Sequence, residues 1–506
     1  MYLKDISRRF IKNTIYNLEL DNRLGYERNI RREKLYDYAS EGEIKSTDAL
    51  FQKSRREGES LPLARVSRAI PSLCGWVPRL NEQTKVLLYH FWSVNYGLRK
   101  EVLVRVSLVQ GASVVSQDLF TLAPYSSMQL EIGSSEAESH ETEGIVCVEY
   151  FHPRIPPNHG GHSGQLRFWG KYYDVNGEYT ATVHSMPLAF EQPFARLGIH
   201  SRSYTDNKLA KSFYVASPHY LGDRYKKSFR QEENAETGYG YNLGIDESKS
   251  VRAIWHHAPR GQVVADQDKT KTLTQAFWVP PINDIRPVVV IDPHETGMYE
   301  GQTVAITYIN GNKVIKAEKY DLSEVQSIQL DVQDYIVDHT GLTVLISFIC
   351  HQANSGYAHI HYNVGEKYGD CVHAHACNPE LGDGKAIASR GEKYASCLKF
   401  MHAPIVSDES HESWLVLTNI KDSNGQTRFK IRLILEDGKE FIENISMMSD
   451  DLLIPVNINS LLNHFSERQV GNVIVQLEDN NYNYDCSFLT YMKSNNSIAT
   501  DHLTGG

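Results

Sequence analysis

The chain has 506 residues, which is too long for a single hydrophobic core and predicts three or four domains. Its 41% of hydrophobic and 23% of charged residues exclude a disordered protein, and no apolar stretch is long enough to span a membrane. The net charge of −10 argues against a general nucleic-acid-binding protein. The seven scattered cysteines are an odd number and no signal peptide follows Met1, so we expect reduced thiols and a cytoplasmic location.

The beginning of the chain differs from the rest in charge and in pattern. Residues 1–80 hold 16 Lys/Arg against 11 Asp/Glu, a balance of +5, so the remaining residues carry −15. Apolar residues recur at helical spacing in residues 1–35, which predicts an amphipathic helix. Residues 36–70 lack periodicity and predict an extended basic arm. The arm is a solvated linker, wraps a neighbouring subunit or binds an acidic polymer.

A sequence repeat organises the remainder of the chain. Gly97–Ile132 recurs without a gap as Gly297–Val332, and a weaker third copy runs from Gly425 to about Ile458. The residues that recur identically in the first two copies include Gly97, Val104, Gly111, Leu122, Ser127, Gln129 and Leu130. Apolar residues alternate with period two in these spans, as in antiparallel strands that are buried on one face.

Flanking strands complete a predicted β-sandwich of roughly 100 residues in each copy. An entry strand with a proline precedes each copy, and the closing hairpins Gly164–Ser185, Gly356–Cys377 and Gly471–Met492 align without gaps. An acidic residue recurs at one hairpin position, and we interpret it as a turn cap: Glu178, Asp370 and Asp485. The sequence therefore predicts an all-β protein with three tandem antiparallel sandwiches, Ig-like or jelly-roll-like, after the N-terminal helix and arm.

The predicted domains follow from this repeat. They are the N-terminal helix and basic arm (1–70), the first sandwich (71–190), an insert (191–274), the second sandwich (275–378) and the third sandwich (396–506). The insert is long, rich in glycine and aromatic residues and poor in strand alternation. We expect it to pack over the sandwiches or onto a partner. The polar tail from Asp501 to Gly506 is expected to be exposed.

Histidine and cysteine are concentrated in the predicted second sandwich. The candidate metal ligands are His351, His359, His361, His373 and His375, accompanied by Cys371 and Cys377. A His-x-His pair on a strand places both imidazoles on one face, and zinc prefers Cys and His ligands. The hairpin alignment puts His359 and His361 on the outward face and Cys371, His373 and His375 on the core face, so one site using both pairs requires a bulge. Histidines held by hydrogen bonds or a pH-sensitive cluster are the alternatives.

Aromatic residues of the insert are candidates for a different kind of binding site. Tyr239, Tyr241 and Trp255 can stack on sugar rings, as aromatic side chains do in carbohydrate-binding sandwiches. The chain is rich in tyrosine, with 29 residues of this type, so packing of these side chains is the alternative.

The functional hypotheses rest on the repeat and on the motifs that are missing. The chain contains no Gly-x-Ser-x-Gly, His-Glu-x-x-His, Walker or Gly-x-Gly-x-x-Gly motif, which favours a protein that is not an enzyme. We predict a structural or assembly protein, a subunit of a larger homo- or hetero-oligomeric particle, filament or appendage. The alternatives are a metal-dependent enzyme or metal-stabilised domain with a divalent ion at the His/Cys cluster, and an array of carbohydrate-binding modules. The expected partners are further copies or other subunits, and neither a membrane nor nucleic acid.

Overall fold

The structure is a computed structural model, and the residues that it describes form an all-β protein. It describes residues 72–76, 83–90, 101–110, 113–132, 144–151, 168–173, 176–187, 199–206, 211–218, 242–246, 254–257, 271–291, 303–311, 313–321, 327–336, 340–350, 358–365, 370–373, 400–418, 427–436, 438–448, 451–465, 470–479 and 486–505. Within these ranges the chain forms seven antiparallel sheets and one α-helix, α1 (Ile458–His464). The predicted all-β class is therefore confirmed. The predicted N-terminal helix and basic arm lie outside the described residues.

The first described strands form two sheets, which we call the first double sheet. Its strands are β1 (Ser72–Trp76), β2 (Gln83–Tyr89), β3 (Val102–Gln110), β4 (Ser113–Leu122), β5 (Ser127–Ile132), β6 (Gly144–Phe151), β7 (Trp169–Tyr173), β8 (Tyr179–His184) and β9 (Met186–Pro187). One sheet has the order β4-β3-β6-β1-β9, and the other has the order β5-β2-β7-β8. Val86 of β2, Val104 of β3 and Val148 of β6 are fully buried in one core, so the two sheets share it.

The segment that we predicted as an insert contains a sheet of its own. Its strands are β10 (Ile199–Asp206), β11 (Lys211–Pro218), β12 (Asn242–Asp246) and β13 (Ile254–His257), in the order β10-β11-β12-β13. β10 and β11 have eight residues each, so the segment forms a sheet in spite of its poor strand alternation. The sheet lies beside β3, β6 and β8 of the first double sheet.

The second double sheet follows. Its strands are β14 (Lys271–Val279), β15 (Ile285–Ile291), β16 (Thr303–Asn310), β17 (Lys313–Asp321), β18 (Ser327–Gln329), β19 (Leu342–Cys350), β20 (Ala358–Val364) and β21 (Cys371–His373). The sheets have the orders β14-β19-β16-β17 and β18-β15-β20-β21, and a short 3-10 helix, Gln333–Tyr335, follows β18. Ile306 and Ile360, from the two facing sheets, are fully buried in one core.

The third double sheet ends the described chain. Its strands are β22 (Phe400–Ser407), β23 (His411–Thr418), β24 (Thr427–Leu435), β25 (Glu440–Met447), β26 (Leu453–Asn457), β27 (Gly471–Asp479), β28 (Ser487–Met492), β29 (Ser497–His502) and β30 (Thr504–Gly505). The orders are β25-β24-β27-β22-β30 and β26-β23-β28-β29. Helix α1 connects the two sheets, and the side chain of Asn457 caps it by accepting a hydrogen bond from the N–H of Ser460 (2.9 Å).

All three double sheets have the same strand order. Numbered from its own first strand, each places strands four, three, six and one side by side in one sheet and five, two, seven and eight in the other. This is not the Ig order, in which the first strand pairs with the second, because here it pairs with the sixth. The repeated spans starting at Gly97, Gly297 and Gly425 contain strands three, four and five in each case.

Local irregularities also recur between the double sheets. The register of strands three and four shifts between Leu108 and Val109 in β3, and between Tyr308 and Ile309 in β16. These are the same positions of the two gapless sequence copies. A bulge of this kind increases the local right-handed twist of the strand pair and interrupts its regular hydrogen-bonding ladder.

The outer edge of each double sheet carries an acidic residue on strand four. This acid lies opposite a buried residue of strand three in every case: Asp118 opposite Val106, Glu318 opposite Ile306, and Glu443 opposite Ile431. Residues that are opposite in an antiparallel pair lie on the same face, so these acids are on the core side of an edge strand. Inward-pointing charges at an edge oppose pairing with another sheet.

One sequence alignment is wrong in the third double sheet. Gly471–Asp479 is strand six, and the closing hairpin is formed by β28 and β29 instead. The predicted superposition of Gly471–Met492 on Gly164–Ser185 therefore joins strands that are not equivalent. Val473 and Val475 alternate as strand seven does, because any strand buried on one face has the same period.

Candidate functional site

The eighth strands of the three double sheets meet in the interior of the molecule. β8, β21 and β29 each form the edge of their own sheet, and β29 lies beside both β8 and β21. We call this place the junction. The third double sheet contacts both others there: its Phe488 belongs to the core of the first, and its Leu489 belongs to the core of the second. Outside the junction, Trp278 and Trp414 pack edge-on with ring centroids 5.4 Å apart.

Asp370, just before β21, binds the edges of the two other double sheets. Its side chain is fully buried, and Oδ2 accepts hydrogen bonds from the backbone N–H groups of Thr182 (2.9 Å) and Thr500 (3.0 Å). Its own N–H donates to the carbonyl oxygen of Ile498 (2.9 Å). The turn that Asp370 is interpreted to cap, residues 366–369, lies outside the described residues, so that interpretation stays a prediction. The carboxylate satisfies edge amides that have no ladder partner at that position.

A second buried carboxylate, Asp501, closes the junction between the first and third double sheets. Its Oδ2 accepts from the backbone N–H of His184 (2.7 Å) and lies 2.8 Å from His184 Nδ1. Its Oδ1 accepts from the backbone N–H of His502 (2.7 Å) and lies 3.1 Å from His502 Nδ1. The exposed fractions are 1% for His184, 4% for Asp501 and 6% for His502. Two imidazoles thus flank one carboxylate that is removed from water.

Aromatic rings enclose this cluster. The His184 and His502 rings pack edge-on with centroids 4.4 Å apart, and Trp169 packs edge-on against His184 at 5.9 Å. Phe488 contacts the Trp169 ring at 5.6 Å. The cluster is the one group of three His, Cys, Asp or Glu residues within the described ranges whose ligand atoms lie close enough to share a metal ion, all within 4.8 Å. Chemically it can hold a proton or a cation, and its burial leaves little room for a substrate.

Lys171 of β7 forms another buried contact between the first and third double sheets. Its Nζ donates to Oδ1 of Asn472, whose Nδ2 donates to Glu436 (2.5 Å). Burial lowers the pKa of the Lys171 ammonium to about 7; Glu436 raises this pKa, and Lys85 lowers it further. Desolvation disfavours the charged form, so the protein holds this lysine close to its titration point at neutral pH.

His402 of β22 is a buried histidine between the same two double sheets. Its ring packs against Tyr89 of β2 with centroids 5.5 Å apart. Burial lowers its pKa to about 3, and the charge of Arg432 lowers it further. His402 therefore stays neutral at physiological pH and acts as a packing residue.

The structure changes the geometry of the predicted histidine site. His359 lies opposite His373 and His361 lies opposite Cys371 in the β20–β21 pair. Ile360 and Val372, which lie opposite each other between them, are both buried in the core. The four flanking residues therefore belong to the other face, and the prediction that the two strands present them on opposite faces is wrong. The alignment slipped by one residue, which exchanges the faces of a strand.

The structure describes only one of the other predicted site residues, Trp255. His351 and His375 lie outside the described residues, as do Tyr239 and Tyr241. Trp255 is on β13, opposite Gly244 of β12. A metal site at the histidines of the second sandwich and a carbohydrate site at Tyr239, Tyr241 and Trp255 stay predictions.

Sequence reasoning missed the junction residues. Asp501 and His502 belong to a tail that we expected to be exposed, but they end β29 and are buried. The tail has few apolar residues, so only its pairing with β28 reveals it as a strand. Lys171 was missed because nothing in its local sequence distinguishes a buried lysine from an exposed one.

Comparisons with known proteins give no family for the chain. No family model matches it, and no curated protein matches it. Among solved structures, the pilus backbone RrgB from Streptococcus pneumoniae is 12% identical, with 49% of this chain and 52% of that chain covered and a TM-score of 0.13. A GH78 family rhamnosidase of Bacillus sp. GL1 is 7% identical, with 85% and 53% covered and a TM-score of 0.15. No helix within the described ranges is long and apolar enough to cross a membrane.

Proposed function

We propose that the chain is a structural subunit built from three tandem copies of one β-sandwich with eight shared strands, which assembles with further subunits. The shared strand order supports the tandem copies, and so does the bulge at the same position of β3 and β16. A glycine with positive φ at the start of strand six, Gly341 in the second copy and Gly471 in the third, also supports them.

The junction is the observation that carries a structural role. The carboxylates of Asp370 and Asp501 accept hydrogen bonds from backbone N–H groups of other double sheets, so they connect the copies directly. The polar groups gathered there are buried and engaged with one another. This arrangement suits a rigid block better than an enzyme, whose catalytic groups must reach a substrate.

Exposed apolar side chains are the candidate contacts with other subunits. Met448 and Leu452 are 53% and 38% exposed and flank one turn, which is closed by a hydrogen bond from the N–H of Asp451 to the carbonyl oxygen of Met448 (3.1 Å). Val314 and Ile315, at the start of β17, are 56% and 37% exposed. Small apolar patches of this kind contribute to interfaces without extending a sheet.

Size-exclusion chromatography with light scattering tests the proposal on the full chain. We expect a species larger than the monomer, and a smaller one after the paired change Met448→Glu and Leu452→Glu. Lys319→Glu, an exposed change on β17, is the matched control and leaves the size unchanged. A monomer at all concentrations contradicts the proposal.

The basic arm is tested in the same measurement. Lys53→Glu, Arg55→Glu and Arg56→Glu together reverse the local charge of the segment that we predict to wrap a neighbour. If the arm docks on an acidic body, association weakens, and the effect is larger at low salt than at high salt. An unchanged size identifies the arm as a linker.

A metal-stabilised second sandwich is the second candidate, supported by the β20–β21 register. His359, His361, Cys371 and His373 lie on one face of adjacent strands, as ligands of one ion require. Elemental analysis of the purified chain tests it. We expect bound metal that His361→Gln removes, and a chain without stoichiometric metal excludes this candidate.

A further inference from the structure

The cluster at the junction has the composition of a metal site. His184 ends β8, whereas Asp501 and His502 end β29. His184 and Asp501 are 317 residues apart in the chain. Each of the three offers one ligand atom, and these atoms lie within 4.8 Å of one another. Imidazole nitrogen and carboxylate oxygen are ligands of zinc and similar ions, whereas calcium requires about six to eight oxygen ligands.

We propose that His184, Asp501 and His502 bind a divalent cation of the zinc class, which fastens the first sandwich to the third. Donor atoms around a tetrahedral zinc ion, each at about 2.0–2.2 Å from it, are separated by about 3.3 Å. Asp501 Oδ2 lies 2.8 Å from His184 Nδ1, and Oδ1 lies 3.1 Å from His502 Nδ1. These two separations are within about 0.5 Å of that value, whereas the farthest pair of ligand atoms is up to 4.8 Å apart and must approach by as much as about 1.5 Å to share the ion.

The carboxylate of Asp501 is oriented before any ion binds. The backbone N–H groups of His184 and His502 donate to its two oxygens, each at 2.7 Å. Hydrogen bonds to a ligating carboxylate fix its direction and support metal affinity. The two edge strands thus supply both the ligands and the groups that position one of them.

Cation binding requires the tautomer of each histidine in which Nδ1 presents a lone pair and Nε2 carries the ring proton. Nδ1 of each ring then coordinates the ion in place of its contact with the Asp501 carboxylate, at 2.8 Å for His184 and 3.1 Å for His502. The cluster carries one negative charge from Asp501, so a divalent ion leaves it with one positive charge.

The surroundings indicate a structural ion. The ring of Trp169 packs against His184, and Phe488 of the third sandwich packs against Trp169. Three protein ligands leave a fourth tetrahedral position for a water molecule. Because the ligands come from both sandwiches, the ion stabilises their contact and adds nothing to either sandwich alone.

Cobalt titration of the full chain, after removal of metals with a chelator, tests the proposal. We expect Co²⁺ alone to give the strong visible absorption of a tetrahedral site, and Zn²⁺ to displace it. We expect His184→Gln and His502→Gln each to bind one molar equivalent of Co²⁺ less than the wild-type chain, or to bind it at least about tenfold more weakly. His464→Gln, an exposed change on α1, is the control that keeps this equivalent.

Two results overturn the proposal. One is a wild-type chain without tetrahedral Co²⁺ absorption, which needs no variant and so does not depend on variant folding. The other is retention of the full signal in both His184→Gln and His502→Gln, which assigns the ion to other residues. Far-UV circular dichroism of each variant separates loss of binding from loss of fold.

Discussion

The inner and outer edges of the double sheets use the same residue type in opposite ways. At the junction, the carboxylates of Asp370 and Asp501 are buried and accept hydrogen bonds from edge amides of the neighbouring double sheets. At the outer edges, Asp118, Glu318 and Glu443 lie on strand four and stay in contact with water. The inner acids join edges, whereas the outer acids keep edges apart. Burial and available donors, and not the residue type, decide which of the two occurs.

The physical reason is the cost of desolvating a charge. A carboxylate enters the interior only where N–H groups replace its water, and Asp370 and Asp501 each have two backbone donors. Glu318 instead receives hydrogen bonds from Lys316, Tyr308 and Tyr320 at the rim, and the Lys316 contact is the main cause that lowers the pKa of its carboxyl group. A new strand pairing with β17 would have to desolvate this acid.

Replacing Asp370 is the strongest test of the inner edge. Asp370→Ala removes the acceptor of two buried N–H groups, those of Thr182 and Thr500. Each buried group left without a partner costs about 1–3 kcal/mol, so the loss of two partners should lower the free energy of unfolding by about 2–6 kcal/mol. Urea unfolding of the full chain measures this loss.

The matched change Asp370→Asn keeps one oxygen at the same position. Its carbonyl group still accepts from the two amides, so the expected loss is smaller than that of Asp370→Ala. Equal losses in the two variants would mean that charge, and not the hydrogen bonds, holds the junction together.

Lys171 tests the same contact region through pH. Its pKa is lowered to about 7 from 10.5, so between these values the unfolded chain binds one proton more than the folded chain. Stability therefore rises with pH across this window, by up to about 1.4 kcal/mol per unit, and is independent of this group below it. Urea unfolding at pH 7 and pH 9 measures the rise, and Lys171→Met should remove it.

Lys319→Met is the control for this comparison, because Lys319 is exposed on β17. We expect this variant to keep the pH dependence of the wild-type chain. If Lys171→Met and Lys319→Met behave alike, Lys171 is not desolvated in the folded protein.

The outer edge gives the smallest effect on stability and a larger effect on association. Glu443→Val removes the acid opposite Ile431, and we expect the free energy of unfolding to change by less than about 1 kcal/mol. Without the inward charge, β25 becomes a template for sheet extension, so light scattering should report new large aggregates. Asn444→Val, on the opposite face of the same strand, is the control; aggregation of both variants would show that apolar content alone is responsible.

Part of this architecture follows from local sequence. Val102, Val104 and Val106 are buried as their alternation predicts, and so are Phe429, Ile431 and Leu433 in the third double sheet. The gapless repeat places strands three to five, because equal spacing of apolar residues and turn glycines produces equal hairpins. The order in which strands lie side by side does not follow, and the sixth strand of the third double sheet was mistaken for the seventh.

The errors share one physical origin. The faces of the β20 and β21 histidines depend on register, and a one-residue slip in an alignment reverses them. The burial of His502 depends on β8, which belongs to another double sheet. Periodicity describes how a strand relates to its own sheet and contains no information about which other edge covers it.

The sequence by itself determined the all-β class, the strand alternation and the spacing of the repeated hairpins, because these are properties of neighbouring residues. Only the tertiary structure decided that Asp370 and Asp501 bind edge amides 188 and 317 residues away and that His184 meets His502. Those contacts form because three sheet edges converge on one interior point. Desolvation then selects the few polar groups that satisfy one another there.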